Sequence, residues 1–297
     1  MASSCTHRVV TASPLVDAAR LRSHLGARRL VVLDATVDRT TDGRYVSGRA
    51  GFVDDGRIPG SRHADLIADF SDPQAPFPFT RPDAGAFEAA ARALGIGADS
   101  TVVVYDRRGG AWAARVWWLL RSFGHDDVGV LDGGLRAWVD AGGEVETGVV
   151  VSPRAGDFRA TVRDGYFADT DAVRAAMNGD GPAGLVCALG RDVFEGRATV
   201  AGRAGHIPGS VNVPYPDLLD PTGHIDAHRV RAAVAELDRL PGRAAGRTVI
   251  GYCGGGINAA GLALALSVVG ITTVEVYDGS LSEWNADPGN PLEIVDG

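Results

Sequence analysis

Cys253 lies in the stretch Thr248-Val249-Ile250-Gly251-Tyr252-Cys253-Gly254-Gly255-Gly256-Ile257-Asn258-Ala259-Ala260, where a nucleophile meets a glycine-rich turn. The β-branched and small residues before it read as the end of a buried strand. The apolar run over residues 259–266 reads as a helix. A thiol at a strand end, beside loop N–H groups and a helix N-terminus, is placed to act as an anionic thiolate. Three glycines let the loop curl and leave space for a group attached to the sulfur. A buried structural cysteine would fit the same strand–turn–helix pattern. Other loop chemistries fit less well. No Lys-Ser/Thr pair follows the glycines, against a Walker phosphate loop, and the position late in the chain is against a dinucleotide fingerprint. No arginine lies between Cys253 and Gly270 to cradle a phosphate, and no histidine has a clear link to the thiol.

The elements that must hold this loop are legible along the chain. Residues 9–25 begin as a short strand and continue, after Ser13-Pro14, as a helix with Ser13 as its cap. Leu30-Val31-Val32-Leu33-Asp34-Ala35 and Thr101-Val102-Val103-Val104-Tyr105 read as buried strands, and residues 128–131 as another. Helical spacing marks residues 83–94, and an aromatic-rich helix is expected over 113–123. Residues 40–79, rich in Gly, Asp and Pro, are expected to be mostly loop. Strands separated by helical segments imply an α/β fold with a mostly parallel sheet covered on both faces.

The same order then recurs. Gly184-Leu185-Val186-Cys187-Ala188-Leu189 parallels the strand ending at Asp34-Ala35, and Gly205-His206-Ile207-Pro208-Gly209-Ser210 parallels Gly56-Arg57-Ile58-Pro59-Gly60-Ser61. Val249 to Cys253 parallels Val103 to Asp106, and the Asp278-Gly279-Ser280…Trp284 segment parallels Asp132-Gly133-Gly134…Trp138. Four matched segments in one order indicate an internal duplication, with residues 141–160 as the linker. Where the second half has Cys253, the first has Asp106, which cannot carry sulfur. The first half is therefore expected to be silent and to wall the active cleft.

Composition narrows the class. A formal net charge of -8 argues against a general nucleic-acid binder, which needs a basic stripe. Cys5, Cys187 and Cys253 are too far apart for a zinc pattern or a disulfide framework, so a reducing cytoplasm is expected. No basic region followed by an apolar run opens the chain, and the longest apolar stretch is too short to span a bilayer.

The paired Ile-Pro-Gly segments, the paired Asp-Gly-Gly/Ser…Trp segments, the Cys253 loop and the run from Val116 to His125 together resemble the tandem-domain thiosulfate/3-mercaptopyruvate sulfurtransferase (rhodanese) family. The resemblance covers residues 9–290. It implies two tandem rhodanese-like domains, each a small mostly parallel sheet flanked by helices. One, over residues 9–145, is non-catalytic, with Asp106 at the cysteine position; the other, over 156–292, is catalytic. It also implies a Cys253 persulfide, loaded from thiosulfate or 3-mercaptopyruvate and discharged to cyanide, a small thiol or a protein dithiol. No cofactor or metal is called for, because backbone N–H groups from Gly254 through Gly255, Gly256 and Ile257 to Asn258 can hold the sulfur's charge. The alternative within the same family is a non-catalytic or carrier protein that delivers or senses sulfur through a protein partner.

Departures from the family pattern bear on the donor. The loop after Cys253 is uncharged, nearer the mercaptopyruvate type, yet Gly255 replaces that type's hydroxyl residue. Asp65 stands at the family's first-domain aspartate, while Phe79 takes the place of its companion histidine. Cys187 and Leu189 replace the aspartate and arginine of the Asp-Ala-Arg strand end. An anionic donor still calls for a guanidinium. Arg191 and Arg197 are the expected sources, with Arg203 structural; Arg107 or Arg108 of the silent loop is a further candidate for facing the cleft and holding an anion, a solvated surface pair being the alternative. Asn258 is expected to pin the turn. His206, Asp278, Cys187 and the tryptophans Trp112, Trp117, Trp118 and Trp284 read as structural.

Overall fold

The computed structural model describes residues 9–10, 13–237 and 248–295; Cys5 lies outside them. In the first half, Leu30–Asp34 and Thr101–Tyr105 are apolar on both faces, as strands covered by helices on two sides must be. They form the centre of a five-stranded parallel sheet. Its order is Leu15–Val16, Val128–Leu131, Thr101–Tyr105, Leu30–Asp34, Arg62–His63. The second half repeats that order with Phe167–Ala168, Val274–Tyr277, Thr248–Tyr252, Ala183–Cys187 and Val211–Asn212, again all parallel. Each half adds an antiparallel hairpin, Val37–Arg39 with Tyr45–Ser47 and Thr199–Val200 with Arg203–Ala204.

The duplication extends to side chains. Tyr105 and Tyr252 end the two central strands, and their hydroxyls accept the N–H of Ile58 (3.2 Å) and Ile207 (3.1 Å), fixing each Ile-Pro-Gly turn to its sheet. Trp138 and Trp284 are buried and donate their indole N–H to the carbonyls of Glu144 and Pro291.

A helix leaves the loop after each central strand: Ala111–Ser122 in the first half and Ile257–Val268 in the second. The latter buries Ile257 and every residue from Ala259 to Leu266. A helix with no polar face must be covered all round. Its own sheet covers one side and the helix Ala111–Ser122 packs on the other, so one apolar core runs through both halves. This packing brings the first half against the Cys253 loop.

Several boundaries differ from expectation. Ser13 is not a helix cap: residues 15–16 pair with Val130 and Leu131 as a strand, and the helix Ala18–His24 begins after Asp17, whose carboxylate accepts the N–H of Arg20. Asp at this position satisfies a first-turn donor that Ser13, two residues before the strand, is too early to reach. The interval 40–79 holds the strand Tyr45–Ser47, the helix Arg49–Asp54 and the strand Arg62–His63 as well as loop. Residues 141–160 follow a fixed path along the first half, with bonds from Glu146 to Arg57, Gly148 to Val53 and Gly156 to Arg92. No helix among the described residues is long and apolar enough to cross a membrane.

Candidate active site

The strand Thr248–Tyr252 delivers Cys253 to the edge of the sheet, and Gly256, at φ 78°, starts the helix Ile257–Val268. A side chain at Gly256 would meet Arg115 Nη1 and the Asp278 carbonyl at 3.0 Å, so the crowding and the left-handed φ both require glycine. The turn is pinned from outside. The Ser280 hydroxyl accepts the N–H groups of Cys253 and Gly256, both at 3.1 Å, and donates to the Tyr277 carbonyl at 2.8 Å. Ser280 is fully buried and holds φ at 51°, an unusual conformation for a non-glycine residue. The carbonyls of Cys253 and Gly254 accept from Leu281 and Ser282, both at 3.0 Å. The amides of Gly254, Gly255, Ile257 and Asn258 have no acceptor among the described residues. They are the open donors of a loop and a first helical turn, as an anion cradle needs.

Cys253 is 3 % exposed and opens onto a cavity of about 440 Å³, within the roughly 300–1,000 Å³ of small-molecule sites. Gly254, Gly255, Ile257 and Asn258 line it with Leu189, Val200 and Ser282. The opposite wall comes from the first half. Phe79, Trp112 and Tyr45 form an edge-to-face cluster with ring centroids 5.2–5.6 Å apart, and Arg39 and Arg108 complete the wall.

Beneath the loop, the fully buried Arg115 of the first half donates to Asp278 Oδ1 (2.5 Å) and the Phe79 carbonyl (2.7 Å). Asp278 Oδ2 accepts the N–H of Arg81 at 2.7 Å. Asp278 therefore ties the two halves together, rather than only its own loop. Phe79, at φ 62°, is held beside the cysteine by this tie.

Other expected site residues lie elsewhere. Arg191 is 3.7 Å from Glu195 and largely solvent-exposed, and Arg197 is engaged by Asp192 and Glu195; neither lines the cavity. Acidic neighbours on the short helix Arg191–Phe194 and just after it hold both guanidinium groups there. Arg107 turns away because Asp34, buried and lacking a full complement of donors, lies 3.5 Å from its Nε, while its Nη2 donates to the Gly56 carbonyl. Asp65 accepts the N–H of Ile67 and Ala68, both at 3.0 Å, and closes a first-half turn away from the cavity. Asn258 lines the cavity but makes no side-chain bond among the described residues that pins the turn; the Ser280 hydroxyl holds it instead. Trp112 faces the cavity, whereas Trp117 and Trp118 pack in the core. His206 is stacked on Phe194 and hydrogen-bonded to its carbonyl, a structural role, and Arg203 anchors the carbonyls of Asp287 and Asn290. Burial pushes the Cys187 thiol up to about 12, so it is protonated at neutral pH.

The signal for Ser280 was present as the one polar residue distinguishing Asp-Gly-Ser from Asp-Gly-Gly in the repeat. Arg39, Tyr45 and Trp112 gave no local signal, because packing between the halves brings them to the cysteine.

Comparison with known proteins agrees with this architecture. A model of the rhodanese-like domain matches residues 17–141 and 188–287. The putative thiosulfate sulfurtransferase SseB of Mycobacterium tuberculosis is 36% identical over 250 residues, covering 82% of this chain and 85% of that protein. The 3-mercaptopyruvate sulfurtransferase of Escherichia coli K12 is 31% identical over 295 residues, covering 94% and 98%. The crystal structure of SseA from Escherichia coli, a 3-mercaptopyruvate sulfotransferase, superposes with a TM-score of 0.78 at 30% identity, covering 90% and 98%. With two matching sheets, two matched segments and relatives aligned across most of its length, the chain belongs to the rhodanese family as a tandem-domain member.

Proposed function

We propose that this protein is a sulfurtransferase of the thiosulfate/3-mercaptopyruvate type, carrying sulfur as a persulfide on Cys253. The observation that carries the reading is a free cysteine at the floor of a small-molecule cavity, ringed by amides without acceptors. With thiosulfate, the Cys253 thiolate attacks the outer sulfur; a new S–S bond forms, the old S–S bond breaks, and sulfite leaves with the electron pair. With 3-mercaptopyruvate, the C–S bond breaks instead, and the three-carbon fragment takes a proton to become pyruvate. An acceptor thiolate or cyanide then attacks the outer sulfur of the persulfide, and Cys253 leaves as thiolate. The open amides of Gly254, Gly255, Ile257 and Asn258 supply dipoles toward the charge that sulfur carries in both steps.

Support for this chemistry comes from relatives named for one donor or the other, thiosulfate or 3-mercaptopyruvate. The test is steady-state sulfur transfer to cyanide from each donor, with Cys253→Ala beside the wild type. Loss of at least about a thousandfold in the variant is expected, since it removes the nucleophile. Retained turnover in Cys253→Ala would overturn the reading, while sulfur loading without turnover would favour a carrier.

A further inference from the structure

The cavity over Cys253 is lined by two cationic residues, Arg39 and Arg108, and by no aspartate or glutamate among the described residues. This is a local inversion of charge in a chain of formal net charge -8. Both arginines come from the half that lacks the nucleophile, and the second-half arginines are held elsewhere by Asp192 and Glu195.

Each guanidinium is positioned with capacity left over. Arg39 pairs in register with Tyr45 across the hairpin, so the two side chains share a face, and its guanidinium lies 5.3 Å from the Tyr45 ring centroid. Its Nε donates to the Gly43 carbonyl at 2.7 Å, leaving Nη1 and Nη2 without an acceptor among the described residues. Arg108 donates through Nη2 to Asp38 Oδ1 at 2.5 Å, leaving Nε and Nη1. The silent loop spans 106–110, one residue more than the active loop at 253–256, and Arg108 is its middle residue. Phe79, Trp112 and Leu189 add apolar surface to the same cavity.

We propose that Arg39 and Arg108 form the anion-binding pair of the Cys253 cavity and take the charged head of the sulfur donor, sulfonate or carboxylate. Planar guanidinium groups suit either head, through paired N–H donors. The Asp38 carboxylate takes Nη2 of Arg108 and leaves Nε and Nη1 for a ligand. Naming the ligand as a sulfur donor rests on the function proposed above; the preference for an anion does not.

The experiment compares rates of alkylation at Cys253, followed by peptide mass spectrometry, for anionic iodoacetate and neutral iodoacetamide. It uses wild type, the double variant Arg39→Gln/Arg108→Gln, and Arg191→Gln as control. At low ionic strength the double variant is expected to lose about tenfold in the iodoacetate rate. Its iodoacetamide rate should stay within about twofold of wild type, since the loop is untouched. Arg191→Gln should behave as wild type. In turnover, the double variant should raise KM more than it lowers kcat, and the donor whose KM rises more is the one whose head the pair holds. An unchanged reagent ratio, an equal slowing of both reagents, or no labelling of wild type would overturn the proposal. A lost ratio with no sulfur transfer from either donor would leave the anion pair standing and sink the sulfur reading. Normal transfer with an unchanged ratio would do the reverse.

Discussion

The two halves build the same loop and fill it differently. In the first half, the Asp106 carboxylate accepts the N–H groups of Arg108 (2.7 Å) and Gly110 (2.9 Å) through Oδ1 and of Ala113 (2.9 Å) through Oδ2. The loop's donors are spent on its own side chain. In the second half, a thiol that accepts no hydrogen bond among the described residues replaces that carboxylate, and the Ser280 hydroxyl takes two amides from behind. Ser280 corresponds to Gly134, where a side chain would collide with the Asp106 carbonyl at 2.2 Å. One loop is closed by an internal anion; the other is braced from beneath and left open above. A duplicated fold thus yields an open cysteine loop on one side and a wall with two arginines on the other.

Removing the internal anion should break the closed loop first. Asp106→Ala leaves three N–H donors without their acceptor and is expected to cost roughly 3 kcal/mol or more, measured by urea unfolding. Asp106→Asn keeps the Oδ1 acceptor but turns an amide donor toward Ala113, so it should fall between Ala and wild type. A wild-type stability for Asp106→Ala would mean the loop is not held as described.

The tie between the halves comes next. Arg115→Met strips the buried partner from Asp278 and a donor from the Phe79 carbonyl, with an expected loss of about 3 kcal/mol. It should also raise KM, because Phe79 borders the cavity. Thermal unfolding alongside donor titration separates the two effects.

Ser280→Ala sharpens the contrast at the active loop. It leaves the Cys253 and Gly256 amides without an acceptor, for an expected loss of about 2 kcal/mol. The sulfur-transfer rate should fall by about tenfold or more, since the cradle is no longer fixed. Ser280→Thr, which keeps the hydroxyl, should restore part of the rate if it fits the positive φ; unchanged kcat in Ser280→Ala would remove the brace from the account.

How much of this was legible follows from the physics of each part. Strands buried on both faces are continuous apolar runs, so Thr101–Tyr105 and Thr248–Tyr252 announce themselves. Cys253 and its glycines are contiguous, and the duplication exposes Asp106 as the residue at the matching position. Arg107 and Arg108 were legible as a pair opposite the active loop, and Arg108 is the one on the cavity; the rest of the far wall is not contiguous, and Arg39 and Tyr45 come to the cavity only through packing of the helices Ala111–Ser122 and Ile257–Val268. Nearness in sequence to a family motif favoured Arg191 and Arg197, but the acidic residues beside them already provided local partners. Glu195, four residues after Arg191, was the warning.

The smallest contrast concerns Cys187, which takes the strand-end place that Asp34 holds in the first half. Its folded thiol is pushed up to about 12 from an ordinary value of 9.0, mainly by burial. The folded state therefore keeps a proton that the unfolded chain releases, and this contribution is complete below pH 9 and declines as pH rises toward 12. Between pH 8 and 10, Cys187→Ala should lose about 1 kcal/mol less stability than wild type, as read from Tm. Parallel curves would show that the buried thiol does not set this limb.

The most direct measurement is the intact mass of the protein, with the modified residue located by fragmentation, after separate exposure to thiosulfate and 3-mercaptopyruvate. The expected result is one added sulfur on Cys253 from at least one donor, and none in Cys253→Ala. No sulfur on Cys253 from either donor, or the same added sulfur in Cys253→Ala, would contradict the reading of the Cys253 loop as the open, sulfur-carrying one.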